Sequence, residues 1–135
     1  MKLTLEEIAK LHAGLLLLDG YDRIAKDGER ERVVREYFSL GAGLRLAVAM
    51  NIDKLEAAMS PYNKVRTALI FQLSSKDKPN EVAPENLGKF NDETSAMLAV
   101  EHDLTLTKIK FDELNLDKNP IPVSTLSMIQ ALLRE

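Results

Sequence analysis

The chain has no cysteine and no tryptophan. The first absence excludes disulfides, thiolate metal centres and cysteine nucleophiles, and it agrees with a reducing compartment. Aromatic residues of any kind are scarce, with three tyrosines and four phenylalanines. The core must therefore be built from Leu, Val, Ile, Ala and Met. Long apolar runs are missing too. The longest is Leu15–Leu18, far short of the ~20 residues that a membrane helix needs. Met1 is followed by Lys2 and a mixed-charge segment, without the apolar stretch of a signal peptide. There is no basic excess either, the formal charge being −3 and the pI about 5.5. An acidic chain repels a phosphate backbone, so direct nucleic-acid binding is not expected. These absences lead to an expectation of a soluble, cytoplasmic protein folded as a single domain over residues 1–135.

What is present is one very long helical pattern, from about Ser39 to Ser74. Val48, Ile52, Leu55, Met59, Tyr62, Leu69 and Leu73 recur at three- and four-residue steps, with Arg66 in the same stripe. That is the signature of a helix packed along one face. At ~1.5 Å per residue such a rod spans roughly 50 Å. A compact domain of this size is roughly 37 Å across. The rod is expected to overhang and to pack on a partner or on a second copy. The candidate interaction residues are therefore Val48, Ile52, Leu55, Met59, Tyr62, Arg66, Leu69 and Leu73. Ser60-Pro61 interrupts the pattern. Either the helix kinks there or a second helix begins with Ser60 as cap. The stripe keeps its phase across Pro61, which favours one kinked helix. Gly41 and Gly43, in the first turn, are expected to allow close approach of another backbone.

Around this spine the expected fold class is α+β, mostly α: a helical bundle with a minimal two-stranded sheet. Thr4-Leu5-Glu6-Glu7 has the spacing of a capping box and opens a helix that stops at Asp19-Gly20. Tyr21–Asp27 reads as a short polar stretch or one helical turn, closed by Asp27-Gly28. Glu31–Phe38, rich in Val, Tyr and Phe, reads as a strand. Ser39 is placed to cap the long helix. Residues 74–80 read as a solvated turn, and Pro84 starts a helix antiparallel to the long one. Residues 103–109 read as a second strand, expected to pair with Arg32–Phe38. Asn119-Pro120-Ile121-Pro122 leads into a last helix carrying Leu126, Ile129, Leu132 and Leu133.

No arrangement of catalytic groups stands out, and no cofactor or metal site is expected. His12 lies on an apolar stripe as a core or boundary histidine. Glu101-His102-Asp103 are adjacent on a strand and point to alternate faces, so they do not converge on one ion. Asp53 and Glu56 share a helix face with Lys54 between them, the pattern of a solvated charged face. Ser124, Thr125 and Ser127 fit helix capping better than nucleophilic chemistry. Arg66 is the charge of most interest. In a packed seam it requires an acid such as Glu85, Asp92 or Glu93. Alternatively Val65 packs and Arg66 reaches water.

Three segments carry a resemblance. They are Arg45–Leu55 leading to Tyr62 and Arg66-Thr67-Ala68-Leu69; Pro84–Asn91 followed by a short strand; and a closing amphipathic helix ending in Arg134-Glu135. In their order they resemble short, uncharacterised proteins of tailed bacteriophages and prophages, over residues 44–135. The resemblance implies no catalytic residues. It implies a non-enzymatic virion component or assembly factor, located in the bacterial host or the virion. Its contacts would be with itself or with phage structural proteins, with no membrane and no small-molecule substrate. The other readings are a phage regulatory or host-takeover protein that binds a bacterial partner, and an enzyme with a polar pocket.

Overall fold

In the computed structural model, which describes residues 1–135, fifteen elements follow one another. Strand β1 (Lys2–Thr4) leads into helix α1 (Leu5–Asp19). Strands β2 (Tyr21–Asp27) and β3 (Arg30–Glu36) precede the long helix α2 (Ala42–Gln72). Strands β4 (Ser74–Ser75) and β5 (Lys78–Val82) lead through a 3₁₀ turn at Pro84–Asn86 to helix α3 (Leu87–Leu98). Strands β6 (Glu101–Asp103) and β7 (Ile109–Lys110), a 3₁₀ turn at Phe111–Leu114, helix α4 (Val123–Met128), a 3₁₀ turn at Gln130–Leu132 and strand β8 (Leu133–Arg134) complete the chain. The fold class is α+β and mostly α, with small two-stranded sheets. Helix α2 runs across Pro61 without a break, so no second helix begins at Ser60.

The chain divides into two compact units, Met1–Ala9 with Leu55–Leu104, and Lys10–Lys54 with Thr105–Glu135. In the first, Thr4 and Glu7 close the capping box. The Glu7 amide donates to Thr4 Oγ1 at 3.2 Å, and the Thr4 amide donates to Glu7 Oε1 at 3.1 Å. Two of the amides that a helix start leaves unpaired are thereby satisfied. Antiparallel β1 and β6 set Leu3 opposite His102, and the N-terminal ammonium reaches Asp103 Oδ1 at 3.1 Å. After α2, the Leu73 carbonyl accepts from the Ala83 amide at 2.9 Å and from Asn86 Nδ2 at 3.0 Å. Residues 74–80, expected as a bare turn, contribute to the small β4–β5 hairpin.

In the second unit the sheet differs from expectation. The strand near residues 31–38 forms as β3, but its partner is β2, the segment expected to be a short polar stretch or a helical turn. Asp27 pairs with Arg30 across Gly28-Glu29, and Gly28 has φ 67°. Gly at positive φ in the first position of a two-residue turn is the type II′ hairpin signature. The expected partner, residues 103–109, instead splits. Residues 101–103 are taken by β1, and Ile109-Lys110 runs parallel to Leu133-Arg134 in β8. Between them the backbone is held by side chains of α2. Asn51 Nδ2 donates to the Thr107 carbonyl and the Thr107 amide donates to Asn51 Oδ1, both at 2.9 Å. Lys54 Nζ donates to the Thr105 carbonyl at 2.7 Å. Asn119 does the same for Ser39: Oδ1 accepts from its amide at 2.8 Å and Nδ2 donates to its carbonyl at 3.1 Å. Ser39 is thus held by Asn119 ahead of α2, which starts at Ala42, and does not occupy the expected cap position.

The last helix is shorter than expected. Ile129 and Leu132 are buried as foreseen, but α4 stops at Met128 and Leu132 sits in a 3₁₀ turn. The spacing Leu126, Ile129, Leu132 is three throughout, which suits the 3₁₀ helix as well as the α-helix. Its N-cap is Pro122 with no side-chain cap, so Ser124, Thr125 and Ser127 do not cap it. Close packing occurs at a glycine other than the two expected. Around Gly41 and Gly43 there is open space. At Gly14 of α1, a Cβ would meet Ile129 Cγ2 and Met128 Cβ at 2.7 Å each.

Stability measurements on three variants check this packing. Gly14→Ala should destabilise the protein by about 1–3 kcal/mol in urea unfolding, because overpacking opposes the better helix propensity of Ala. Asn51→Ala should cost about 2–4 kcal/mol, since it leaves the Thr107 amide and carbonyl without partners. Asn51→Asp should cost less, relative to the natural chain, as pH falls through the carboxylate range. Burial raises the carboxyl pKa in the folded state, so the destabilisation is relieved when the acid is protonated and can donate to Thr107. Thermal melts from neutral to acid pH should show the gap to the natural chain narrowing.

Candidate functional site

The stripe of α2 separates into two parts. Val48, Ile52 and Leu55 are buried within the fold of this chain. Met59, Tyr62, Leu69 and Leu73 are half-buried, and Arg66 is exposed. The part of the stripe that this chain leaves accessible therefore lies in the second half of α2, from Met59 onward, and further apolar side chains are exposed outside the stripe. Val65 is 47 % exposed and Phe71 68 % exposed.

Beside these residues, in the first unit, lies a shallow apolar groove of about 200 Å³. Leu5, Ala58, Pro61, Tyr62, Val65, Met97, Val100 and His102 line it. Pro61 suits such a place, because it carries no backbone N–H. His102 contributes the one buried side-chain nitrogen without a hydrogen-bond partner, Nε2. It sits between Glu101 and Asp103, which are both exposed on the other face of β6. The chemistry of this groove is that of a surface for apolar side chains.

Arg66 makes none of the expected ion pairs with Glu85, Asp92 or Glu93. Its guanidinium lies over the Phe90 ring, 5.7 Å from the centroid. A planar, delocalised cation stacks on an aromatic face as readily as it pairs with a carboxylate. Arg66 is thus solvent-accessible, as the second alternative required, but Val65 does not become core in exchange. The aromatic partner was present in the sequence at Phe90, four residues from Asn86 on the helix that Pro84 opens.

His12 is half-buried on α1, the boundary position expected for it. Asp53 and Glu56 are both exposed. Thr125 is buried, whereas Ser124 and Ser127 are exposed. With Leu17, Tyr21, Phe38, Pro120, Pro122 and Ser124, Thr125 lines an opening of about 430 Å³ in the second unit. No three His, Asp or Glu side chains converge on a point where a metal ion could sit. No helix is long and apolar enough to cross a membrane.

No protein-family profile matches this chain, and neither does any curated protein or any solved structure.

The Arg66–Phe90 contact is weak by its nature. Arg66→Ala should lower stability by no more than about 1 kcal/mol, the range of an exposed cation–π pair. A double-mutant cycle with Phe90→Leu should give a coupling of about 0.5–1 kcal/mol. Cycles of Arg66 with Glu85, Asp92 or Glu93 should give none.

Proposed function

We propose that this chain is a non-enzymatic protein-contact module of phage or prophage origin, serving as a virion component or assembly factor. The observation that carries the contact role is the apolar surface on the second half of α2 and the groove beside it. Val65 is 47 % exposed at that groove beside half-buried Tyr62, and further along the helix Phe71 is 68 % exposed. An apolar helix face in water is the usual form of a surface that another protein covers. The phage setting rests on the resemblance of Arg45–Leu55, Pro84–Asn91 and the C-terminal segment. The contacts would be with phage structural proteins or with further copies of the chain, and no cofactor is called for.

Mass spectrometry of purified particles and assembly intermediates from the producing phage or prophage tests this reading. The chain should be found in one or the other. Val65→Glu, which places a charge in the groove, should reduce its incorporation at least tenfold while helical circular dichroism is retained. Presence only early in infection, with absence from particles and intermediates, would overturn the assembly role in favour of a regulator.

A further inference from the structure

The β2–β3 hairpin is built from charged residues and carries an exposed apolar pair at its centre. Ile24 stands directly opposite Val33, and they are 65 % and 70 % exposed. On the same face Asp22 opposes Arg35, with an ion pair at 3.3 Å, and Lys26 opposes Glu31 at 4.0 Å. No third strand joins the sheet. A two-stranded hairpin is marginal by itself in water. Exposed edges are normally blunted by charged side chains, above all Lys, by Pro or by a bulge. Strand β3 reads Arg-Glu-Arg-Val-Val-Arg-Glu, with no Lys, no Pro and an unbroken register with β2, and its five charges carry both signs, so they oppose pairing only where like meets like.

The direction of its free backbone groups follows from the turn. Asp27 and Arg30 close a two-residue loop and form a hydrogen-bonded pair, and such pairs alternate along the ladder. Glu31, Val33 and Arg35 therefore turn their N–H and C=O groups to the open edge.

We propose that this edge pairs with the same edge of a second copy, antiparallel across a two-fold axis at Val33, to give one four-stranded sheet. In that register Val33 meets Val33 of the other copy, Glu31 meets Arg35 and Arg30 meets Glu36. Arg32 meets Val34. Every charged residue of β3 except Arg32 thus faces its opposite. Across the joined sheet one row reads Ile24, Val33, Val33, Ile24. The rows beside it alternate in sign, as Asp22, Arg35, Glu31, Lys26. Moving the axis to Glu31 or to Arg35 would set like charges against each other on the axis, which disfavours both. The β2 edge offers less, since pairing with itself about Ile24 matches only Asp22 with Lys26. This inference stands on the hairpin alone and requires neither the phage setting nor the α2 surface.

Because the chain has no cysteine, single introduced thiols report the pairing without ambiguity. Residues opposed in a hydrogen-bonded antiparallel pair have Cα atoms about 5.5 Å apart, within disulfide reach. Mild oxidation of Val33→Cys should give a species of twice 15.1 kDa. Ile24→Cys, nearly as exposed, should stay monomeric. Its two thiols would lie three strand spacings apart, roughly 14 Å. Equal cross-linking at both positions, faster linking at Ile24, or none at Val33 would each overturn the proposal. Sedimentation provides a second test. Glu31→Arg and Arg35→Glu should each sediment as monomers, with circular dichroism unchanged. An equimolar mixture should recover the dimer, because each acidic pair then faces a basic one. Dimers in the separate variants, or no dimer in the mixture or in the natural chain, would overturn it as well.

Discussion

Asn51 exchanges two hydrogen bonds with Thr107, and the second unit is organised around that exchange. The side chain is fully buried. Its amide presents one acceptor and donors in the same spacing as a peptide group, so it can stand in for one residue of a neighbouring strand. Residues 105–108 belong to no strand and have none beside them. Asn51 and Lys54, three apart on α2, supply the missing partners at Thr107 and Thr105. Asn119 repeats the device at Ser39 and also donates to the Leu114 carbonyl at 2.8 Å. Irregular backbone can thus pack against the core, because buried polar groups are tolerated only when they are paired. Such clamps are sensitive to side-chain length, so Gln is a poor substitute for Asn at either position.

The helices were legible in the sequence because their signals are local. The capping box at Thr4, the apolar stripe of α2 and Pro84 at a helix start all act within a turn or two. The sheet was less legible for the opposite reason. Strand β1 is three residues at the chain start with no β-rich composition, and it claims β6 from a distance of about a hundred positions. Strand β2 contains two Asp, a Lys and an Ala, residues that strands generally disfavour, although Asp27-Gly28 was a hairpin signal. Residues 104–107 alternate as a half-buried strand does, and alternation reports an extended chain rather than a paired one. Gly41 and Gly43 stand out by their spacing but meet nothing, while Gly14 packs against Met128 and Ile129 at a position where spacing carries no mark. At the candidate site the apolar stripe was correct in phase. Sequence periodicity does not tell which part of a stripe its own chain covers, and Val48, Ile52 and Leu55 proved to be core.

The two surfaces left open differ in kind. The second half of α2 offers apolar side chains around a shallow groove, a surface with little directional information beyond shape. The hairpin offers backbone donors and acceptors in a fixed register, with charges that admit one alignment better than others. A surface of the first kind tolerates several partners. A surface of the second kind discriminates, because a wrong register sets like charges opposite each other.

The placement of the two clamping asparagines also bears on how the molecule ages. Asparagine loses its amide when the backbone nitrogen of the following residue attacks the side-chain carbonyl and closes a five-membered imide. Asn51 lies within α2, where the nitrogen of Ile52 is committed to the helix ladder and held away from the side chain. Asn119 is followed by Pro120, whose nitrogen has no hydrogen to lose. Both clamps are therefore protected from the slow chemistry that would turn them into aspartates, and the protein's core is not exposed to a built-in clock.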